Sequence, residues 1–340
     1  MLFSTEQVSR WHPDKYCDQI SDAILTAYLR EDKNSHCGIE AMAKGKKVFL
    51  AGEVTSKAQV DRNEITRRVA AKLGYEVDFI FDAISEQSPE IKAAVDAETN
   101  IGAGDQGMMY GFACNETESM LPYGFDLANK IIEVLAKGTG GNFLKGDAKT
   151  QVTIDDQLPR DPGSVKKIVI SACTVDGFDI SAVRYAIEHV VREAIELPKD
   201  VEFIVNPSGI WTIGGPEADA GLTGRKIVCD QYGGFCPVGG GAFSGKDPSK
   251  VDRSGAYMAR EIACNLVKLY DFNYCEIQLA YAIGIAEPVS VNVINDRGID
   301  LSEEVRRAFD LTPRGIINYL DLYEKDYEKI AEGCHYRTRM

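Results

Sequence analysis

The chain has 340 residues, 44% of them hydrophobic and 26% charged, a composition typical of a soluble globular protein and a length that suits two or three subdomains rather than one core. There is no apolar run long enough for a membrane helix, and a net charge of −14 argues against nucleic acid or an anionic membrane as partner, since both would be repelled. The opening Met1-Leu2-Phe3-Ser4-Thr5-Glu6 has neither a basic nor an apolar leader region, and nine scattered cysteines without CxxC pairs read as reduced thiols, so a cytoplasmic protein is expected. A polyanionic substrate would need a local nest of Lys and Arg set against this acidic field.

In chain order, a helix is expected over Lys15–Leu29, followed by β-rich segments over Gly38–Glu53. A second helix fits Asp61–Leu73, where Ile65, Val69 and Leu73 share one face. A helix over Asp126–Lys137 precedes strands at Gln151–Ile154 and Lys167–Thr174. Next comes a helix over Ile180–Ile195 with Val183, Ile187, Val190, Val191 and Ala194 facing one way. Val201–Asn206 and Ile210–Ile213 flank Pro207-Ser208-Gly209 and predict a hairpin. A helix over Gly255–Tyr270, strands at Glu276–Ala286 and Ser290–Ile294, and a short helix over Ser302–Phe309 capped by Ser302 complete the series. One plan, two strands and then a helix, therefore occurs three times. It predicts an α+β fold of three similar subdomains with antiparallel sheets. The approximate divisions are 1–110 (with a lid loop at 85–104), 111–225 and 226–340.

Four segments are unlike ordinary core or surface. His12-Pro13-Asp14-Lys15 opens a helix. Proline and aspartate there are ordinary helix-start chemistry, and the segment taken alone favours that reading, although a helix N-terminus is also an anion site. Gly102-Ala103-Gly104-Asp105-Gln106-Gly107 fits a tight surface turn or a backbone closing on a ligand. The stretch Gly214–Lys226 carries four glycines and ends in Arg225-Lys226, a phosphate nest by its chemistry. Gly240 to Lys246 formally matches the start of a P-loop, but Asp247-Pro248 follows where a Ser or Thr and a helix are required. The remaining signal is glycine-rich backbone beside Lys246, Lys250, Asp252 and Arg253. With Asp147-Ala148-Lys149, the candidate phosphate ligands are His12, Lys149, Arg225, Lys226, Lys246 and Lys250, and Asp14 and Asp252 are candidates for a divalent metal. No Ser/His/Asp or Cys/His constellation is evident.

At these segments the sequence resembles the methionine adenosyltransferases, or S-adenosylmethionine synthetases, from Phe3 to about Leu322. The shared motifs are His-Pro-Asp-Lys, Gly-Ala-Gly-Asp-Gln-Gly, Asp-Ala-Gly-Leu-Thr-Gly-Arg-Lys, and Gly-Gly-Gly-Ala-Phe-Ser-Gly-Lys-Asp followed by Lys-Val-Asp-Arg-Ser. The resemblance implies pseudo-threefold subdomains with intertwined connectivity. It also implies a homodimer, often paired into a homotetramer, with active sites at the dimer interface and ATP and methionine as substrates. His12, Lys149, Arg225, Lys246 and Lys250 would be catalytic. ATP would meet His12, Asp147, Lys149, Ile210, Trp211, Asp219, Arg225, Lys226, Ala242 and Lys246. Methionine would meet Glu53, Gln87, Asp219, Lys250 and, from the partner subunit, Asp105. Asp14 and Asp252 would bind Mg²⁺, and Glu40 would sit at a K⁺ site.

The sequence departs from the family's usual residues at several points near the nucleotide. Ser9-Arg10-Trp11 stands where the family has Ser-Glu-Gly, and Cys173-Thr174 where it has Gln-His. Ile210-Trp211 stands for Arg-Phe, and Val238 for a histidine. Trp211 keeps an aromatic for the adenine, and Arg10 is a candidate replacement for the lost cation. A non-catalytic paralogue and a phosphohydrolase of triphosphate chains are the alternatives. The retained phosphate residues weigh against the first, and the retained Glu53, Gln87 and Asp219 against the second.

Overall fold

The computed structural model describes residues 1–86, 102–138, 143–157 and 160–337. Gln87 and most of the expected lid lie outside the described residues. The first repeat runs β1 (Leu2–Val8), α1 (Pro13–Glu31), β2 (His36–Lys44), β3 (Lys47–Thr55), α2 (Arg62–Lys72) and β4 (Phe79–Ser85). The second runs β5 (Gly107–Cys114), α3 (Tyr123–Lys137), β6 (Leu144–Asp155), β7 (Val165–Thr174), α4 (Ile180–Ala194) and β8 (Glu202–Val205). The third is β9 (Gly221–Leu222), α5 (Val251–Tyr270), β10 (Tyr274–Tyr281), β11 (Ser290–Asn295) and α6 (Ser302–Ala308). The short helix α7 (Pro313–Tyr319) follows.

Three sheets result, with strand orders β4-β3-β2-β9, β1-β6-β7-β8 and β11-β10-β5. In each repeat the first strand leaves its own hairpin and pairs with another's. β1 lies beside β6, β5 beside β10, and β9 beside β2, all antiparallel. The helix that follows then crosses back to its own sheet: α1 packs on β2, α3 on β6 and α5 on β10. This cyclic exchange of strands is the intertwined, pseudo-threefold arrangement expected from the sequence. Among the described residues, no helix is long and apolar enough to cross a membrane.

Several local expectations need correction. β3 and β4 pair in parallel, as do β7 and β8, so α2 and α4 are crossover helices of βαβ units, not simple appendages to hairpins. The expected hairpin around Pro207-Ser208-Gly209 is not formed. After β8 the side chain of Asn206 takes over, its Oδ1 accepting the Ala172 N–H at 2.8 Å and its Nδ2 donating to the Ala172 carbonyl at 3.0 Å. The chain then runs past the end of β7, where the Trp211 carbonyl accepts the Thr174 N–H at 2.7 Å. On α4, Val183, Ile187 and Val191 are buried, but Val190 and Ala194 are exposed. Ser302 is the first residue of α6 and not its cap, with Asp300 accepting the Ser302 N–H at 3.0 Å.

Two cores hold the sheets. α3, α4 and the inner face of β6-β7-β8 form one. α1, α5 and the other two sheets share the second. The outward face of β4-β3-β2 is unusually apolar: Met42, Phe49 and Phe81 stand in register across three strands, and Phe49, Phe79 and Phe81 are 40–52% exposed.

Where β5 meets α5 the backbones approach so closely that a Cβ on Gly111 would lie 2.0 Å from the Ala259 carbonyl carbon. Gly111→Ala must therefore separate helix from sheet and should destabilise the protein by about 3 kcal/mol, at the upper end of ordinary overpacking. The denaturant midpoint measures this, and an unchanged midpoint would contradict the close packing.

Candidate active site

The first group of site residues gathers at the N-terminus of α1. His12 caps the helix, its Nδ1 accepting the Asp14 N–H at 3.1 Å. Asp14 is buried and bound from two directions. Its Oδ1 accepts the Leu222 N–H at 2.9 Å, and its Oδ2 accepts from Lys226 Nζ at 2.6 Å. Arg225 Nε lies 3.5 Å from the same carboxylate, with its side chain half exposed. Burial by itself would raise the Asp14 carboxyl, but Lys226, the Leu222 N–H and His12 outweigh it and hold it below the ordinary carboxylate range. His12 is pushed down to about 3 by burial and then by the charges of Lys226 and Lys149, with Asp14 and Asp219 opposing. The ring is therefore neutral, and with Nδ1 accepting, its proton sits on Nε2.

Beside this group, Asp147 on β6 accepts the Gly215 N–H through Oδ2 at 2.6 Å. Its Oδ1 is buried and has no hydrogen-bond partner among the described residues. Burial lifts the Asp147 carboxyl to about 6, against the Gly215 N–H and Lys149. Such an unpaired acceptor suits a ligand hydroxyl. A cavity of about 520 Å³ opens next to it, lined by Tyr75, Leu144, Asp147, Cys173, Ile213 and Gly214. Lys149, Asp219 and Ile210 are exposed, and Trp211 is half-buried with its Nε1 donating to the Ile213 carbonyl at 2.5 Å.

The second group lies around the N-terminus of α5. Lys246 is ion-paired with Asp252, and Gly241 lies so close that a Cβ there would fall 2.2 Å from the Asp252 carboxyl carbon. Lys250 Nζ contacts Asp247 at 2.6 Å. Gly38 sits between Glu53 and Lys250: a Cβ there would be 3.0 Å from Glu53 Oε1 and 3.9 Å from Lys250 Cε. The two groups approach at Ala242, whose Cβ fills the space beside Gly224. Among the described residues, no ion pair joins the first group to the second.

Other expected site residues stand apart. Glu40 is exposed on the outward face of β2, opposite Ala51. Asp105 is exposed, its carboxylate accepting the Gln106 N–H at 2.7 Å. Gln87 lies outside the described residues. Arg10, the candidate replacement cation, stacks over Trp11 at 4.3 Å and lies 3.4 Å from Glu332. Trp11 is accommodated by Gly146, where any Cβ would meet its ring at 2.5 Å. Sequence reasoning missed Asp18, Asp22 and Asp247. The first two carry a signal that was available, since Asp14, Asp18 and Asp22 recur every fourth residue on one face of α1.

Among the described residues, no three His, Cys, Asp or Glu side chains converge as a cation cage. Asp14 and Asp252 are single carboxylates, each beside basic residues. That donor set fits Mg²⁺ held by one carboxylate, substrate phosphates and water, the manner usual for this ion, and does not suit Ca²⁺ or Zn²⁺.

An unfolded histidine titrates near 6.5, whereas folded His12 is held at about 3. Its contribution to stability is thus complete above 6.5 and is lost as the pH falls from 6.5 towards 3. Imidazole NMR should show His12 as the Nε2–H tautomer with no titration between about pH 5 and 8. A midpoint near neutrality would refute this electrostatic reading.

Three consecutive family patterns cover the chain: the S-adenosylmethionine synthetase N-terminal domain at residues 1–100, the central domain at 100–211 and the C-terminal domain at 213–340. The chain is 44% identical to an S-adenosylmethionine synthase of Wolinella succinogenes, covering 98% of this chain and 92% of that one. It is also 44% identical to the Salinibacter ruber S-adenosylmethionine synthase, at 98% and 93% coverage. Its fold superposes on an unusual S-adenosylmethionine synthetase from Campylobacter jejuni with a TM-score of 0.87 and 34% identity, over 99% of this chain and 96% of that one. The shared motifs, the threefold exchange of strands and these full-length similarities agree: the chain belongs to the S-adenosylmethionine synthetase family.

Proposed function

We propose that the protein joins ATP and L-methionine to form S-adenosylmethionine, and hydrolyses the released triphosphate to phosphate and pyrophosphate. The observation that carries this reading is the electrostatic design around α1. A net acidic chain concentrates Lys149, Arg225 and Lys226 about a neutral His12 and a buried, ionised Asp14. A thioether sulfur is already a neutral nucleophile, so its attack on the ribose C5′ carbon needs no general base. The C5′–O bond breaks as the S–C5′ bond forms, and the bonding electrons leave with the triphosphate. The protein's tasks are alignment and stabilisation of that departing charge.

His12 Nε2–H is the donor suited to the bridging 5′ oxygen, while Lys149, Arg225, Lys226 and Lys246 neutralise the chain of phosphates. One such pre-organised donor contributes about 3–4 kcal/mol in comparable sites. Asp147 offers its unpaired oxygen to a ribose hydroxyl, and Trp211 with Ile210 and Ala242 borders the base. Glu53, Gln87, Asp105, Asp219 and Lys250 orient methionine. Mg²⁺, held by Asp14 and Asp252, would supply further charge neutralisation. The K⁺ assignment to Glu40 rests on the family resemblance, because one exposed carboxylate is not a cation cage by itself.

The split of the site into two groups supports a homodimer, with each site completed by the partner's second group. The apolar outward face of β4-β3-β2, carrying Phe49, Phe79 and Phe81, favours that surface for the contact. Phe81→Glu should convert the protein to monomer in sedimentation and remove product formation. A monomeric variant with full turnover would discard the shared site.

The decisive assay follows S-adenosylmethionine and phosphate from ATP, with and without methionine. Phosphate release should depend strongly on methionine and accompany the sulfonium product. Equal release without methionine and no sulfonium product would instead indicate a triphosphate phosphohydrolase.

A further inference from the structure

The acidic residues of α1 form a ladder, and each rung holds the backbone of a site loop. Asp14 accepts the Leu222 N–H at 2.9 Å, Asp18 the Gly224 N–H at 2.8 Å, and Asp22 the Gly245 N–H at 2.8 Å. Gly224 and Gly245 share a left-handed backbone, with φ of +77° and +82°. Each immediately precedes a basic residue of the phosphate set, Arg225 and Lys246 respectively. One device thus recurs in two loops from different parts of the sequence.

Counter-charges lock both lower rungs. Lys15 Nζ is fully buried, 3.1 Å from Asp18 and 2.7 Å from Asp230. Arg253 binds both oxygens of Asp22 at 2.8 and 2.6 Å, and also donates to the Lys246 carbonyl at 3.0 Å. The Gly245-Lys246 segment is therefore held at both ends, the Gly245 N–H by Asp22 and the Lys246 carbonyl by Arg253. Ser21 and Thr223 add a hydroxyl contact at 2.7 Å between the helix and the first loop.

We propose that Asp18 and Asp22 are positioning residues for the triphosphate. Asp18 sets the direction in which Arg225 and Lys226 leave their loop, and Asp22 with Arg253 sets that of Lys246. The inference rests on the reading of these basic residues as the phosphate cradle. A purely structural role would make the carboxylates mere partners for Lys15 and Arg253.

Asp230 supplies the control, because it shares Lys15 with Asp18 but, among the described residues, its side chain holds no site loop. With inorganic tripolyphosphate and Mg²⁺ as probe, Asp18→Ala should weaken binding at least tenfold and Asp230→Ala less than threefold. Asp18→Asn, which keeps an acceptor for the Gly224 N–H but not the charge, should recover most of the affinity. Equal losses in the two alanine variants, or an Asn variant as weak as Ala, would overturn the proposal in favour of charge pairing alone. If Asp18→Ala does not fold, hydrogen exchange on the native protein decides. The Gly224 and Gly245 amides should exchange far more slowly than that of exposed Gly240, and equal rates would overturn the proposal. Native protein that binds tripolyphosphate but forms no sulfonium product would sink the synthetase reading and leave the ladder standing. Native protein that does not bind it would end both.

Discussion

A charged side chain cannot remain in a protein interior without partners, and α1 carries four of them inward. Lys15, Asp18 and Asp22 are fully buried, as is Asp14 almost completely. Breaking such a pair typically costs about 3–5 kcal/mol, because an uncompensated charge is left behind. Satisfying these groups therefore dictates what surrounds the helix. Asp230 must lie against Lys15, Arg253 of α5 must reach Asp22, and three loop N–H groups must face the carboxylates. The glycines at 224 and 245 permit that approach, since their backbone conformations are poorly available to other residues. The glycine-rich basic loops are thus located by the core and not by their own flexibility.

The exchange of strands has a related consequence. Because β1, β5 and β9 each leave their own hairpin for another's sheet, no repeat can close its sheet alone. The exchange brings β9, and with it the loop bearing Arg225 and Lys226, beside β2 and the N-terminus of α1. It also puts Lys149 on β6 opposite Val8 of β1, just before His12. Residues separated by well over a hundred positions come together through sheet pairing before any ligand arrives. The C-terminal segment completes the support, with Tyr257 bonding His335 at 2.7 Å and Phe243 packing on that ring at 5.2 Å.

Electrostatics divides labour within the first group. Burial suppresses charge on His12, whereas the hydrogen bonds and cations around Asp14 preserve it there. A neutral donor and an ionised carboxylate can then coexist within one helical turn, suited respectively to a phosphate oxygen and a hydrated cation. Asp147 occupies the intermediate case: its carboxyl is raised to about 6 because burial outweighs a single backbone donor and Lys149. Trp11 supports this region, the indole covering Gly146 and donating to the Leu73 carbonyl at 3.1 Å.

The sequence by itself determined the helices, most strands, the threefold plan and the basic loops, because these depend on local periodicity, glycine content and residue chemistry. Lys246 and Arg225 stood out as candidate anion ligands from their glycine-rich neighbours alone. Tertiary structure decided what depends on distant partners. It made β4 and β8 parallel strands behind crossover helices and replaced the expected hairpin at Pro207-Ser208-Gly209 with Asn206 bonding across to Ala172. It turned Arg10 away towards Glu332. Asp18 and Asp22 show the boundary most clearly. Their four-residue spacing is written in the chain, but their use is set by amides some two hundred positions away, and a hydrogen bond to a remote backbone leaves no mark on local sequence.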